Sequence, residues 1–264
     1  MKVLVTVKEV AALAEDFEID GTEIEERFLD YELNEWDEYA VEEAVQLAES
    51  GVADEVVIAT IGPPRAEETM QVPLAKGADR GIRVWDEVLA TGDLLDVETR
   101  ASLLAAVLEA EAPDIVFTGV QAADDGFAST GVALARQVGF EWAAVVNDLR
   151  LDLDAGTARV RRELEGAVEE ITEVSLPAVF TIQTGINDPR YASLRGIREA
   201  QSKEIATKTL ADLGLDAKIE DGAFSIVEMA EPVAEVETAY FEGEPAEQAG
   251  ELAAVLDETG VVGE

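Results

Sequence analysis

The sequence predicts an α/β protein with a mainly parallel sheet and alternating helices, extended by antiparallel strands and followed by a C-terminal arm. Three observations carry this. Over the first half, short β-branched runs alternate with stretches whose apolar residues recur at helical spacing. After Gly139, four strand-like segments follow one another with turn signals between them. From Ile219 to the end there are 13 carboxylates and no Lys or Arg, a composition poorly suited to a core of its own.

The elements follow in order. Val3–Val7 is a strand, and a polar excursion through Asp20-Gly21 comes after it. Residues 37–49 put Ala40, Val41, Ala44, Val45, Leu47 and Ala48 on one helical stripe. Glu55–Ile61 is strand-like and stops at Gly62-Pro63-Pro64, after which Ala66–Ala75 is a helix ended by Gly77. Ile82–Trp85 is a third strand. Asp93–Glu111 is a helix with a stripe through Leu94, Val97, Ala101, Leu104, Ala105 and Leu108. A fourth strand, Asp114–Thr118, ends in Gly119, and a helix covers about 128–138. This alternation argues for a parallel sheet with right-handed crossovers. Residues 145–153, 158–164, 168–174 and 178–183 extend the sheet as antiparallel strands, with Asp154-Ala155-Gly156 and Glu165-Gly166 as turns. A loop from Thr184 to Gly196 leads to a short helix, Arg198–Gln201. The organisation expected is an α/β domain over 1–207 and an arm over 208–264, whose helix at about 246–257 aligns Ala249, Leu252, Ala253 and Leu256. One isolated apolar face of this kind favours packing on a partner.

Composition narrows the chemistry. The 264 residues are 48% hydrophobic, enough for a sizeable core, and 58 Asp+Glu against 19 Lys+Arg leave a net charge of −39. Such a surface repels phosphate backbones, so nucleic-acid binding is disfavoured. With no Cys and no His, the chain lacks disulfides, thiol nucleophiles, thiolate or imidazole metal sites and the usual base near neutral pH. No catalytic residue and no metal site is expected. Met1 runs straight into a strand, without a secretory segment or an apolar stretch able to span a bilayer, so a cytoplasmic protein without membrane insertion is expected. Only six of the basic residues are Lys, and carboxylates occupy every segment. This even excess reads as a solvated surface and, more sharply, as adaptation to high salt, a halophilic trait.

In open parallel sheets, ligands sit beyond the carboxyl ends of strands near a reversal of strand order. Three strand ends qualify: Thr6, then Ile61-Gly62-Pro63, then the loop Gly119–Thr130. That loop runs Gly119-Val120-Gln121-Ala122-Ala123-Asp124-Asp125-Gly126-Phe127-Ala128-Ser129-Thr130 and continues into Gly131. Its glycines allow close backbone approach, and Ser129, Thr130 and the N–H groups of the following helix suit a phosphate without a basic side chain. The same spacing also fits a plain N-capped connection with Asp or Ser as cap. Asp124-Asp125 reads as a capping or ribose-binding pair in preference to acid/base or metal chemistry. Trp36 reads as a helix-entry residue or as the wall of a planar cofactor.

Together, several segments resemble the β subunit of electron transfer flavoprotein over about 1–207. They are Val3–Lys8, Asn34 with Ala40-Val41-Glu42-Glu43-Ala44, Leu74–Ile82, Gly119–Gly131, Val160–Gly166, Leu176-Pro177-Ala178-Val179 and Asn187–Leu194. The resemblance implies a heterodimer with an α subunit. It also implies FAD held mainly by that subunit near the interface, and an adenine nucleotide, usually AMP, buried in the β subunit. The implied AMP positions are Thr6, Asn34, Glu35, Trp36, Asp37, Ile61 and Gly119 through Thr130. Glu35-Trp36-Asp37 departs from the Pro and small residue common in the family, and Ala128-Ser129-Thr130 from its Asn-Gln-Thr. Members that bifurcate electrons hold a second FAD in place of AMP. The stretch Pro189, Arg190, Tyr191, Ala192, Ser193, Leu194 matches a recognition loop for acyl-CoA or other flavin dehydrogenases, with Leu194 as anchor; a leucine tucked under its own loop is the plainer reading. Electrons would pass through FAD to a membrane quinone oxidoreductase. Two other classes compete. A ligase that adenylates its substrate needs a glycine- and hydroxyl-bearing loop after the first strand, and Val7–Ala12 has neither. A stand-alone nucleotide-binding module sits poorly with the arm.

Overall fold

The computed structural model describes residues 1–90, 95–215, 225–231 and 238–260. The chain forms two compact units, Met1–Met229 and Ala230–Glu264. In the first, the strands are β1 (Lys2–Thr6), β2 (Glu9–Leu13), β3 (Ile19–Asp20), β4 (Glu23–Ile24), β5 (Leu29–Leu33), β6 (Glu55–Ile61), β7 (Arg80–Val84), β8 (Ile115–Gly119), β9 (Glu141–Asp152), β10 (Thr157–Leu164), β11 (Val168–Ser175), β12 (Ala178–Ile182) and β13 (Ile205–Lys208). The helices are α1 (Glu35–Glu49), α2 (Ala66–Lys76), α3 (Val97–Glu111), α4 (Thr130–Val138) and α5 (Leu194–Ala200).

A nine-stranded sheet has the order β11-β10-β9-β12-β8-β1-β6-β7-β13. β1 lies between β6 and β8 and is parallel to both, so the strand order reverses at the end of β1. Period-two alternation divides the core between the sheet faces. Val3 and Val5 of β1, Val56 and Ile58 of β6, and Ile115 and Phe117 of β8 pack with residues of α1 and α2 such as Val41, Met70 and Leu74. Leu4, Val57, Ala59 and Val116 pack on the other face with Leu104 and Leu108 of α3 and Leu134 of α4. Strands buried on both faces read as continuous apolar runs, which made them legible.

Three expectations change. The segment 178–183 is not antiparallel: β12 pairs parallel with β8 and with β9, inserted between them. The segment 145–153, largely in β9, likewise runs parallel to β12, so among the described residues the antiparallel pairing of this sheet is confined to β9–β10 and β10–β11. Ala178–Ile182 is buried throughout, as suits an interior strand, whereas β11 at the edge is mostly exposed. The polar excursion after β1 is also more ordered than expected. It holds the antiparallel pairs β2–β5 and β3–β4 outside the main sheet, with Val10 and Leu33 buried. The short helix begins at Leu194 and not at Arg198, because the Ser193 side chain caps it by accepting from the Gly196 N–H.

α3 starts at Val97 behind the Asp96 cap; Asp93 and Leu94, expected in this helix, lie outside the described residues. Leu210 is buried in the first unit's core. Of the acidic stretch that begins at Ile219, 219–224, 232–237 and 261–264 lie outside the described residues. The second unit contains α6 (Pro245–Glu258), none of whose residues is buried. No helix among the described residues is long and apolar enough to cross a membrane.

Candidate functional site

A cavity of about 500 Å³ opens where the strand order reverses. Its floor is the ends of β1, β6 and β8 with Thr6, Thr60, Ile61, Thr118 and Gly119, and its wall is the loop that leads into α4. Of the residues expected at a ligand, Thr6, Asn34, Asp37, Ile61, Gly119, Val120, Gln121, Ala122, Asp124, Asp125, Ala128, Ser129 and Thr130 line it. Glu35, Trp36, Ala123, Gly126 and Phe127 belong to the same segments but not to the lining.

The loop is held by side chains from the start of α1. Asn34 donates from Nδ2 to the Gln121 carbonyl at 2.8 Å and accepts from the Ala123 N–H at 3.2 Å, imitating a strand partner. Asp37 is buried and accepts from the Lys8 N–H at 2.7 Å and the Gly119 N–H at 3.0 Å. Burial pushes its carboxyl up to about 7, although these N–H groups and Asn34 favour the charged form. Gly119 answers to this contact more than to a ligand: a Cβ there would sit 2.4 Å from Asp37 Oδ1 and 2.8 Å from Trp36 Cβ. Trp36 therefore packs its stem on the β8 end.

The plain capped connection is not what forms at α4. Ser129 occupies the cap position but makes no side-chain cap, and its hydroxyl instead donates to the Phe127 carbonyl at 2.7 Å. Among the described residues no side chain caps the first-turn N–H groups of α4, beside a cavity lined by Ala128, Ser129 and Thr130, an arrangement able to receive an anion.

Three basic residues enter the site without any local signal in the sequence. Lys8, Arg65 and Arg100 line the cavity although none lies in the loop. Lys8 Nζ contacts Asp124 Oδ1 at 2.5 Å and Asp125 Oδ2 at 2.7 Å, and Arg100 Nη1 reaches Asp125 Oδ2 at 2.6 Å. Asp124-Asp125 is therefore an ion-pairing unit. Burial would raise the Asp125 carboxyl, but Lys8, the Phe127 N–H and Arg100 outweigh it and hold the group below the usual carboxylate range. Apolar lining comes from Trp85, Leu89, Leu95 and Leu104; Leu104 stands in the expected helical stripe and Trp85 at a strand end, while Leu89 and Leu95 fall on no expected stripe. Nothing in their pattern separated the lining from the interior.

Pro189 to Leu194 form a different surface. The Arg190 guanidinium grips Glu42 at 2.8 Å and Glu49 at 2.8 Å on α1, while Asn187 Nδ2 donates to the Tyr39 carbonyl at 3.1 Å. Pro189 and Ala192 are half-buried and Ser193 is exposed. Tyr191 and Leu194 project outward, 98% and 79% exposed.

Comparison with known proteins bears on this arrangement. Residues 22–213 match the electron transfer flavoprotein domain family. The electron transfer flavoprotein subunit beta of Methylophilus methylotrophus is 49% identical over 82% of this chain and 82% of its own. The chain belongs to the electron transfer flavoprotein β-subunit family. The corresponding subunit of Syntrophomonas wolfei is 35% identical over 98% of this chain and 97% of its own. That of Homo sapiens is 36% identical over 82% and 84%. Membership makes the chain a component of a flavin-dependent electron carrier and implies an electron transfer flavoprotein α subunit as its heterodimer partner.

Proposed function

We propose that this β subunit binds AMP in the cavity at the reversal point and supports an FAD held mainly by the α subunit. The observation that carries the reading is the uncapped first turn of α4 at the edge of a cavity of about 500 Å³, within the usual range for a small-ligand site. The donor set fits a mononucleotide: α4 N–H groups for the phosphate, Thr6 and the loop backbone for the ribose, and Ile61, Leu89 and Leu95 for the base. When bound, FAD supplies the redox chemistry. This chain's residues bind, orient and exclude water, and they make and break no bonds themselves, so the subunit is a carrier component without enzymatic chemistry of its own.

In this reading the subunit works in the cytoplasm, in fatty-acid oxidation. Electrons arrive from acyl-CoA or other flavin dehydrogenases and leave toward a membrane quinone oxidoreductase. The exposed Leu194 and Tyr191 serve as the apolar contact for the donating dehydrogenase, with Arg190 fastening the loop to α1. The helix α6, with no buried residue, contacts the α subunit. Denaturing the purified heterodimer tests the cofactor assignment: FAD and AMP should be released in equal amounts. Two FAD per dimer and no AMP would place the protein with the bifurcating members.

A further inference from the structure

Each basic side chain lining the cavity is already engaged by a carboxylate. Arg65 Nε lies 2.9 Å from Glu9 Oε1, and Lys8 and Arg100 converge on Asp125 at 2.7 and 2.6 Å. Asp125 is the centre of this group. Its side chain is 4% exposed, and it joins the chain after β1 to α3 across the loop that precedes α4. It cannot swing aside freely, since its Oδ1 accepts from the Phe127 N–H at 3.1 Å and Arg100 stands 5.3 Å over the Phe127 ring. With Asp124 on Lys8, two cations and two anions cancel.

The consequence for a nucleotide is asymmetric. A first phosphate meets the first-turn N–H groups of α4, which no described side chain caps. A second adds negative charge where Lys8 and Arg100 are already neutralised and where two carboxylates line the wall. A partly buried like-charge contact is screened weakly by salt. We infer that Asp125 sets the phosphate count of the bound nucleotide, admitting a nucleoside monophosphate and rejecting a pyrophosphate by keeping Lys8 and Arg100 occupied. Asp125 is a positioning residue, acting through the two cations. The inference rests on the nucleotide reading of the cavity.

The test is competitive loading of the assembled heterodimer with equimolar AMP and ADP, followed by denaturation and chromatography of the released nucleotide. The unsubstituted protein should release AMP in at least about tenfold excess, the selectivity of one charge-assisted hydrogen bond. Asp125→Asn frees Arg100 and leaves Lys8 to Asp124 alone, and should shift the ratio at least about tenfold toward ADP. Asp125→Glu should keep the original ratio. Lys8→Met leaves Asp124 without its cation and Asp125 with Arg100 alone, and should move the ratio further toward AMP. This opposite shift keeps the test decisive if Asp125→Asn fails to fold. Equal loss of both nucleotides in Asp125→Asn, or an unchanged ratio in it and in Lys8→Met, reduces Asp125 to a loop staple and overturns the inference. An unsubstituted protein that takes up neither nucleotide overturns the cavity reading first, and the inference with it.

Discussion

Asp37 Oδ1 lies 3.0 Å from the backbone nitrogen of Gly119, fastening the first turn of α1 to the end of β8. The other carboxylate oxygen takes the N–H of Lys8 at 2.7 Å, after β1. One buried carboxyl thus ties together the two parallel strands whose ends bound the cavity and the helix that enters beside them.

This contact has a pH signature. The folded-state value of Asp37, about 7, exceeds the ordinary carboxylate value, so the folded chain binds the extra proton. The stability Asp37 contributes is then fully present at low pH and falls as pH rises toward 7, by at most about 1.4 kcal/mol per pH unit. Asp37→Asn removes this dependence. Urea unfolding should show a larger penalty for the substitution at about pH 5 than at about pH 8. A penalty that does not vary with pH would mean that Asp37 titrates normally.

Leu194→Ala separates docking from cofactor retention. Truncating an exposed interface anchor commonly costs about 2 kcal/mol, hence roughly thirtyfold in apparent affinity for the donating dehydrogenase. FAD content and the flavin spectrum should not change. Electron transfer from a reduced partner should show a raised KM with nearly unchanged maximal rate, and the defect should persist in concentrated KCl because the lost contact is apolar. Wild-type efficiency at limiting partner would return Leu194 to a packing role.

The second compact unit can be removed cleanly, since residues 1–229 retain every strand of the main sheet. Deletion of 230–264 should leave a folded chain that no longer co-purifies with the α subunit. A stoichiometric heterodimer from the shortened chain would show that the grip lies elsewhere.

Charge predicts salt dependence. At a net charge of −39, self-repulsion is screened only when the Debye length becomes short, at about 3 Å in 1 M salt. Circular dichroism should show the fold loosening between about 2 M and about 50 mM KCl. The same spectrum at both concentrations would count against adaptation to high salt.

The sequence by itself determined the α/β class, the strands β1, β6 and β8, the stripes of α1 and α3 and the loop 119–130, because doubly buried strands and amphipathic helices leave local periodic signals. It also supplied, through ordered motifs, the resemblance that the family match bears out. Tertiary structure alone decided that Ala178–Ile182 runs parallel inside the sheet, since strand direction depends on which neighbours bury the strand and not on its composition. It alone brought Lys8 and Arg100 onto Asp125, 117 and 25 residues away in the chain. Ion pairs between distant residues have no sequence period, and in so acidic a chain any cation has many carboxylates to choose from. Only the packing of α3 and the end of β1 around one loop selects the partners.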